Sequence, residues 1–177
     1  MHSRLYIGLG EQGKAHALAG RHPEALRHYR EAMRNAQADG APEVFMRHYT
    51  QCALESLERM GAYNEVLAAC DNAAEHYRQH PPADEVARKD QASFLERAAV
   101  VLLRAQRHDE ARQYLQQSLQ AAGSVPMPLA RTLLGWLRGQ LHLSVPRLEA
   151  ELNRQLYWSV RADTVRTDWA VALPPQL

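Results

Sequence analysis

Gly20-Arg21-His22-Pro23-Glu24-Ala25-Leu26-Arg27-His28-Tyr29-Arg30-Glu31-Ala32 decides the fold, because the chain repeats its pattern twice. The second occurrence is Gly61-Ala62-Tyr63-Asn64-Glu65-Val66-Leu67-Ala68-Ala69-Cys70-Asp71-Asn72-Ala73. The third is Gln106-Arg107-His108-Asp109-Glu110-Ala111-Arg112-Gln113-Tyr114-Leu115-Gln116-Gln117-Ser118. Each opens on a turn residue or its relic, then a helix-starting Pro, Asn or Asp, then Glu and a small apolar residue. Four positions on stands a bulky or apolar side chain (Tyr29, Cys70, Leu115), and three further a small one (Ala32, Ala73, Ser118). Steps of four and three lie on one face of a helix, so each occurrence reads as the second helix of a hairpin. A unit that returns along the chain implies hairpins stacked in a row.

Outward from these stretches, helices are predicted at 4–19, 23–38, 42–60, 63–79, 84–105 and 109–122, with two more at 128–143 and 146–160. Gly20 and Gly61 close helices, and Pro23 and Pro42 open them. His80-Pro81-Pro82 is a hard stop, since neither proline continues a helix, and Asp84 is the expected N-cap after it. Leu148, Leu152, Leu156 and Val160 recur every fourth residue and define the last helix. Tyr157 and Trp158 fall off that stripe. From Arg161 the periodicity fades, although Val165, Trp169, Val171 and Leu173 keep the tail apolar before Pro174-Pro175.

Hydrophobic residues make up 46% of the 177, enough for a packed interior, while aromatic residues are only 7%. Ala and Leu therefore carry the packing, which favours close helix–helix contact over a sheet. Net charge is +1 with acids and bases interspersed, so there is no electrostatic footprint for nucleic acid or an anionic membrane. No run reaches the ~18 apolar residues of a membrane span and none resembles a secretory leader, so a cytoplasmic protein is expected. Cys52 and Cys70 lack metal-ligand spacing and read as small core residues.

Motifs that could carry chemistry are weak. Gly8-Leu9-Gly10-Glu11-Gln12-Gly13 spells a dinucleotide fingerprint, but no strand precedes it. One reason for a glycine at Gly13 is a neighbouring helix that passes too close for a Cβ. His76 and His80 share a helix face, yet Tyr77 stands where a zinc-protease helix has Glu and no third ligand is near. Glu55 and Glu58 read as a solvated face beside Arg59. No phosphate loop and no nucleophile elbow occurs. The expectation is a protein without catalytic residues, metal or cofactor.

The alternating helix pairs resemble the tetratricopeptide repeat family. The first copy matches at Gly13, Gly20, Ala25, Tyr29 and Ala32, with Gln12 where Leu is usual. The second matches at Gly61 and Ala73, with Leu54, Val66 and Cys70 as departures. The third matches at Ala111, with Leu115 and Ser118 tolerated and Gln106 in the glycine position. Ala25 to Val66 is 41 residues and Val66 to Ala111 is 45, against a family unit of about 34, so the resemblance is to a longer-repeat branch of about 40 residues.

The resemblance implies an all-α, right-handed superhelical solenoid of three clear hairpins and one degenerate C-terminal hairpin. The repeat domain would span residues 1–160, with hairpins at about 4–38, 42–79, 84–122 and 128–160 and a tail at 161–177. It also implies a concave groove lined by the first helix of each hairpin. Mapped by the repeat frame, partner-facing residues are Lys14 and Leu18 in the first copy, and His48, Gln51, Glu55 and Arg59 in the second. The third copy offers Glu96, Arg97, Val100 and Arg104. Family members that grip a chaperone's C-terminal carboxylate use a Lys-Asn, Asn, Lys-Arg set. The matching positions here are Gly10 and Lys14, Cys52, and Ser93 and Arg97, so only Arg97 fits and that ligand is not expected.

The implied function is a non-catalytic protein–protein interaction module, an adaptor or scaffold of a bacterial cytoplasm, that takes a helix or peptide in the groove. The alternatives are a ligand- or peptide-responsive sensor domain of a bacterial regulator and a secretion-type chaperone. Tyr157, Trp158 and Trp169 are candidate interface anchors, because large aromatics dominate binding hot spots. A homo-oligomer formed through the C-terminal segment would use them.

Overall fold

The computed structural model describes residues 5–173. Arg4, Pro174-Pro175 and the end of the expected tail lie outside the described residues. Among those described there is no strand. The helices are α1 (Leu5–Leu18), α2 (His22–Ala38), α3 (Glu43–Arg59), α4 (Tyr63–Gln79), α5 (Glu85–Arg104), α6 (His108–Ala122), α7 (Pro128–Arg138) and α8 (Val145–Arg154). Two single turns of 3-10 helix follow, at Ala162–Thr164 and Thr167–Trp169.

One device ends most of these helices. After α1, the N–H of Gly20 reaches Ala17 O and that of Arg21 reaches His16 O, with Gly20 in the left-handed region at φ 73°. After α3, Gly61 at φ 76° bonds Glu58 O, and Ala62 bonds Leu57 O. After α5 the same pair of bonds forms around Gln106, at φ 60°. The same turn thus forms around a non-glycine residue, although a Cβ disfavours that conformation.

The same turn corrects two predicted boundaries. α7 stops at Arg138 instead of residue 143, because Gln140 adopts φ 52° and its N–H bonds Leu137 O. α8 stops at Arg154 instead of residue 160, because Leu156 adopts φ 54° and the Tyr157 N–H bonds Leu152 O. Leu156, expected on the inward stripe, is exposed as a result. At the other end of α8, the Ser144 hydroxyl accepts from the Arg147 N–H, and before α5 the Asp84 carboxylate accepts from the Ala87 N–H at 2.7 Å.

The chain forms two compact units: residues up to Ala62 together with the segment from Trp158 onward, and Tyr63–Tyr157. In the first, Tyr6, Leu9, Ala25, Tyr29, Ala32, Ala36, Tyr49 and Cys52 make the core. The three glycines of α1 serve that packing, each against a different neighbour. A Cβ on Gly13 would sit 2.6 Å from the Tyr29 ring of α2, and one on Gly10 would sit 2.2 Å from the Tyr49 ring of α3. One on Gly8 would meet Val171 at 2.5 Å and the Trp169 carbonyl at 2.9 Å. What spells a nucleotide fingerprint is a row of close approaches.

In the second unit, α5 packs against α4 and α6, and its run Ala98–Leu103 is buried all round. Ser118 donates to Ala92 O at 2.8 Å, so the polar residue in a small-residue position is satisfied inside the core. Ala25, Val66 and Ala111 are fully buried, and so are Tyr29, Cys70 and Leu115; at the third position of the pattern Ala32 and Ser118 are fully buried but Ala73 only partly. Cys52 and Cys70 are buried free thiols. Among the described residues, no helix is long and apolar enough to cross a membrane.

Candidate functional site

The segment from Trp158 lies along α1 and is held by polar side chains that grip its backbone. Glu55 of α3 accepts the N–H of Ser159 at 2.6 Å and of Val160 at 3.1 Å. Lys14 of α1 donates to Thr164 O at 3.0 Å, and Glu11 accepts the Arg166 N–H at 2.7 Å. Gly8 O accepts the Val171 N–H at 2.9 Å. His28 of α2 accepts the Leu173 N–H at Nε2, 3.1 Å away, while its Nδ1 bonds Glu24 O at 2.7 Å. One neutral tautomer satisfies both contacts, with Nδ1–H donating and Nε2 accepting.

Glu11 and Lys14 form an ion pair at 2.6 Å and are nearly buried. A pair so placed is worthwhile only when its remaining hydrogen-bonding capacity is satisfied, and here the segment satisfies it. Thr164 folds the segment locally: its hydroxyl donates to Ser159 O at 2.8 Å and accepts the Arg161 N–H at 2.9 Å.

Beside this contact lies a concavity of about 280 Å³, lined by Ala17, Leu18, Gly20, His22, Glu55, Ser56, Arg59, Trp158 and Val160. The Arg59 guanidinium lies 3.6 Å from the centroid of the Trp158 ring, and His22 Nδ1 is 3.4 Å from Ser56 Oγ. Burial pushes the His22 imidazole below its ordinary pKa, and the charge of Arg59 adds to that.

The residues expected to face a partner divide accordingly. Lys14, Leu18, Glu55 and Arg59 gather along the returning segment and the concavity. Glu55 and Glu58, which the sequence places on a solvated face, are instead buried. His48 and Gln51 are half-buried on α3. His48 Nε2 is 3.7 Å from Cys52 Sγ, and burial lowers its pKa, with the charge of Lys14 acting the same way.

In the second unit, Glu96 accepts the Ala130 N–H at 3.0 Å and so caps the start of α7; burial raises its pKa. Arg97 is buried, stacks 4.8 Å from the Tyr157 ring centroid and donates to its hydroxyl at 3.1 Å. Arg104 pairs with Glu149 of α8. Val100, expected on the groove face, is fully buried because α5 is apolar on all sides at that level.

Of the three candidate anchors, Trp158 is buried and Tyr157 half-buried, whereas Trp169 is 50% exposed with Arg166 4.7 Å from its ring centroid. Glu11, His28 and Ser56 join the site without being marked by the repeat frame, and so does the half-buried His22, whose turn position recurs at His108. The Glu11–Lys14 spacing of three is the available signal for Glu11, but nothing local marks His28 as an acceptor. His76 and His80 stack at 4.8 Å between ring centroids, and no group of three His, Cys, Asp or Glu among the described residues could hold a metal ion.

No family model matches the chain, and no curated protein or solved structure matches it either.

Proposed function

We propose that this chain is a non-catalytic protein-interaction module of a bacterial cytoplasm, a solenoid of tetratricopeptide-like hairpins that binds an extended peptide along α1. Its own C-terminal segment is the resident occupant of that face. The observation that carries this reading is the nature of the contacts: Glu11, Lys14, Glu55 and His28 bind backbone N–H and C=O groups. Backbone groups are common to all peptides, so main-chain contacts supply affinity and neighbouring side-chain slots supply specificity. The tail of a second copy is one such peptide, and its exchange would produce a homo-oligomer.

A protease site placed at residues 154–157 tests the proposal. After cleavage the segment from Trp158 should stay bound, and a labelled peptide of residues 158–173 should exchange with it. An unrelated extended peptide should compete, and one N-methylated at the positions of Ser159, Val160 and Arg166 should not. A nicked segment that no extended peptide displaces would overturn the reading. The sensor domain of a ligand-responsive regulator is the second reading, favoured by the concavity that Trp158 and Val160 close.

A further inference from the structure

The concavity beside Arg59 differs in character from the peptide-holding face. Its wall is apolar and half open, with Leu18 47% exposed and Val160 partly buried. Its floor carries two hydrogen-bonding groups, the buried Ser56 hydroxyl and the His22 imidazole. Its rim carries one cation. The Arg59 guanidinium carbon sits over the Trp158 ring, 3.6 Å from its centroid, a contact that holds the cation beside the opening.

Of the two charged residues that line this space, Arg59 is exposed and Glu55 is buried. No carboxylate among the described residues pairs with Arg59. Glu55 keeps its negative charge below that rim, with its two oxygens accepting the N–H groups of Ser159 and Val160. The positive charge of Arg59 is felt at His22, where it works with burial against protonation. An exposed cation held over an aromatic ring, two polar groups and apolar neighbours together describe a receptor for a small amphiphilic anion.

We propose that this concavity binds a monocarboxylate with a short apolar body. The carboxylate accepts from the Arg59 edge, with Ser56 and His22 beside it, and the apolar part lies on Leu18 and Val160. A fork of parallel N–H groups matches a carboxylate's two oxygens. A doubly charged phosphate fits less well, because one guanidinium does not neutralise it and the buried Glu55 charge opposes two negative charges more than one. The space of about 280 Å³ corresponds to about nine waters at ~30 Å³ each. That suits a fatty acid of short chain or the last residue of a peptide, which share this chemistry.

The proposal goes beyond the peptide-binding reading and is tested with the segment in place. Trp158 itself reports occupancy in the full chain carrying W136F and W169F. Titration with hexanoate should change its fluorescence saturably, and hexanol, the uncharged analogue, should not. R59Q should weaken hexanoate binding at least tenfold and R59K less, with the helical circular dichroism unchanged. A short peptide ending in leucine is added with a free and with an amidated C-terminus. Tighter binding by the free peptide than by hexanoate assigns a peptide end as the natural source, and the reverse order assigns a free acid.

Should R59Q fail to fold, L18D serves in its place and should repel hexanoate. Hexanol binding as well as hexanoate, undiminished hexanoate binding in R59Q or L18D, or no saturable change up to tens of millimolar would overturn the assignment. These outcomes are independent of whether any peptide displaces the segment. Since Trp158 and Val160 form part of the wall, bound hexanoate should also slow exchange of the nicked segment.

Discussion

The Glu55 carboxylate accepts the N–H groups of Ser159 and Val160 at 2.6 and 3.1 Å, tying α3 to a segment 104 and 105 positions further along the chain. A hydrogen bond to a charged group contributes about 1.5–3 kcal/mol, more when its loss strands a donor. E55Q keeps the shape but presents an amide NH2 to one of two donors. Stability should fall by about that amount, and amide exchange should quicken selectively across residues 158–173. A uniform rise in exchange, or none, would show that the carboxylate is not what holds the segment.

The α1 glycines predict a reversal of ordinary helix propensity. Gly→Ala inside a helix normally gains ~1 kcal/mol. At Gly10 and Gly13 the new methyl would overlap the rings of Tyr49 and Tyr29. These rings are fully or nearly fully buried and have no room to retreat. Overpacking costs about 1–3 kcal/mol, so G10A and G13A should both lower the urea midpoint. A methyl group added at Gly135 in α7 would meet nothing within 4 Å, and G135A should raise it.

How much of this was legible in the sequence depends on the residue. Helices opened by Pro or Asp and closed by Gly could be read directly, as at Pro23, Asp84, Gly20 and Gly61. The ends of α7 and α8 could not, because Gln140 and Leu156 occupy the left-handed turn without the residue type that announces it. The burial of Val66, Cys70, Ala111 and Leu115 followed from periodicity. Contacts between Glu11 and Arg166 or His28 and Leu173 did not, since they join side chains to the backbone of a segment with no periodicity of its own. A repeat pattern identifies which faces of helices are apolar; it carries no information about an irregular segment that returns over a polar one.

Gln106 offers a direct test of the turn it shares with Gly20 and Gly61. It sits at φ 60° with the bond pattern of Gly20 and Gly61. An L-residue in that region carries a cost of roughly 1–2 kcal/mol, part of which glycine returns as unfolded-chain entropy. Q106G should therefore raise the urea midpoint modestly, by the equivalent of about 0.5–1 kcal/mol. G20Q, the reciprocal change in the first copy, should lower it by a similar amount. Both variants moving the same way would mean that the side chains matter more than the turn.

Acid should weaken the first unit before its carboxylates titrate. Burial is the first cause that lowers the pKa of His16, His22 and His48 from 6.5, reinforced by His28, Arg59 and Lys14 respectively. In the unfolded chain these imidazoles take up protons near 6.5, while in the folded chain they resist until lower pH. Between those values the unfolded state binds more protons, so stability rises with pH and falls on acidification. The stabilising difference is present above the unfolded value and is lost as pH drops through it towards the folded values. Urea midpoints should therefore decline between pH about 7 and about 5, ahead of the window in which carboxylates protonate. H48Q, which keeps a polar side chain beside Cys52 but cannot titrate, should flatten part of that decline. A midpoint constant over this interval, or a slope unchanged by H48Q, would show that His48 protonates as readily in the folded protein as in the unfolded chain.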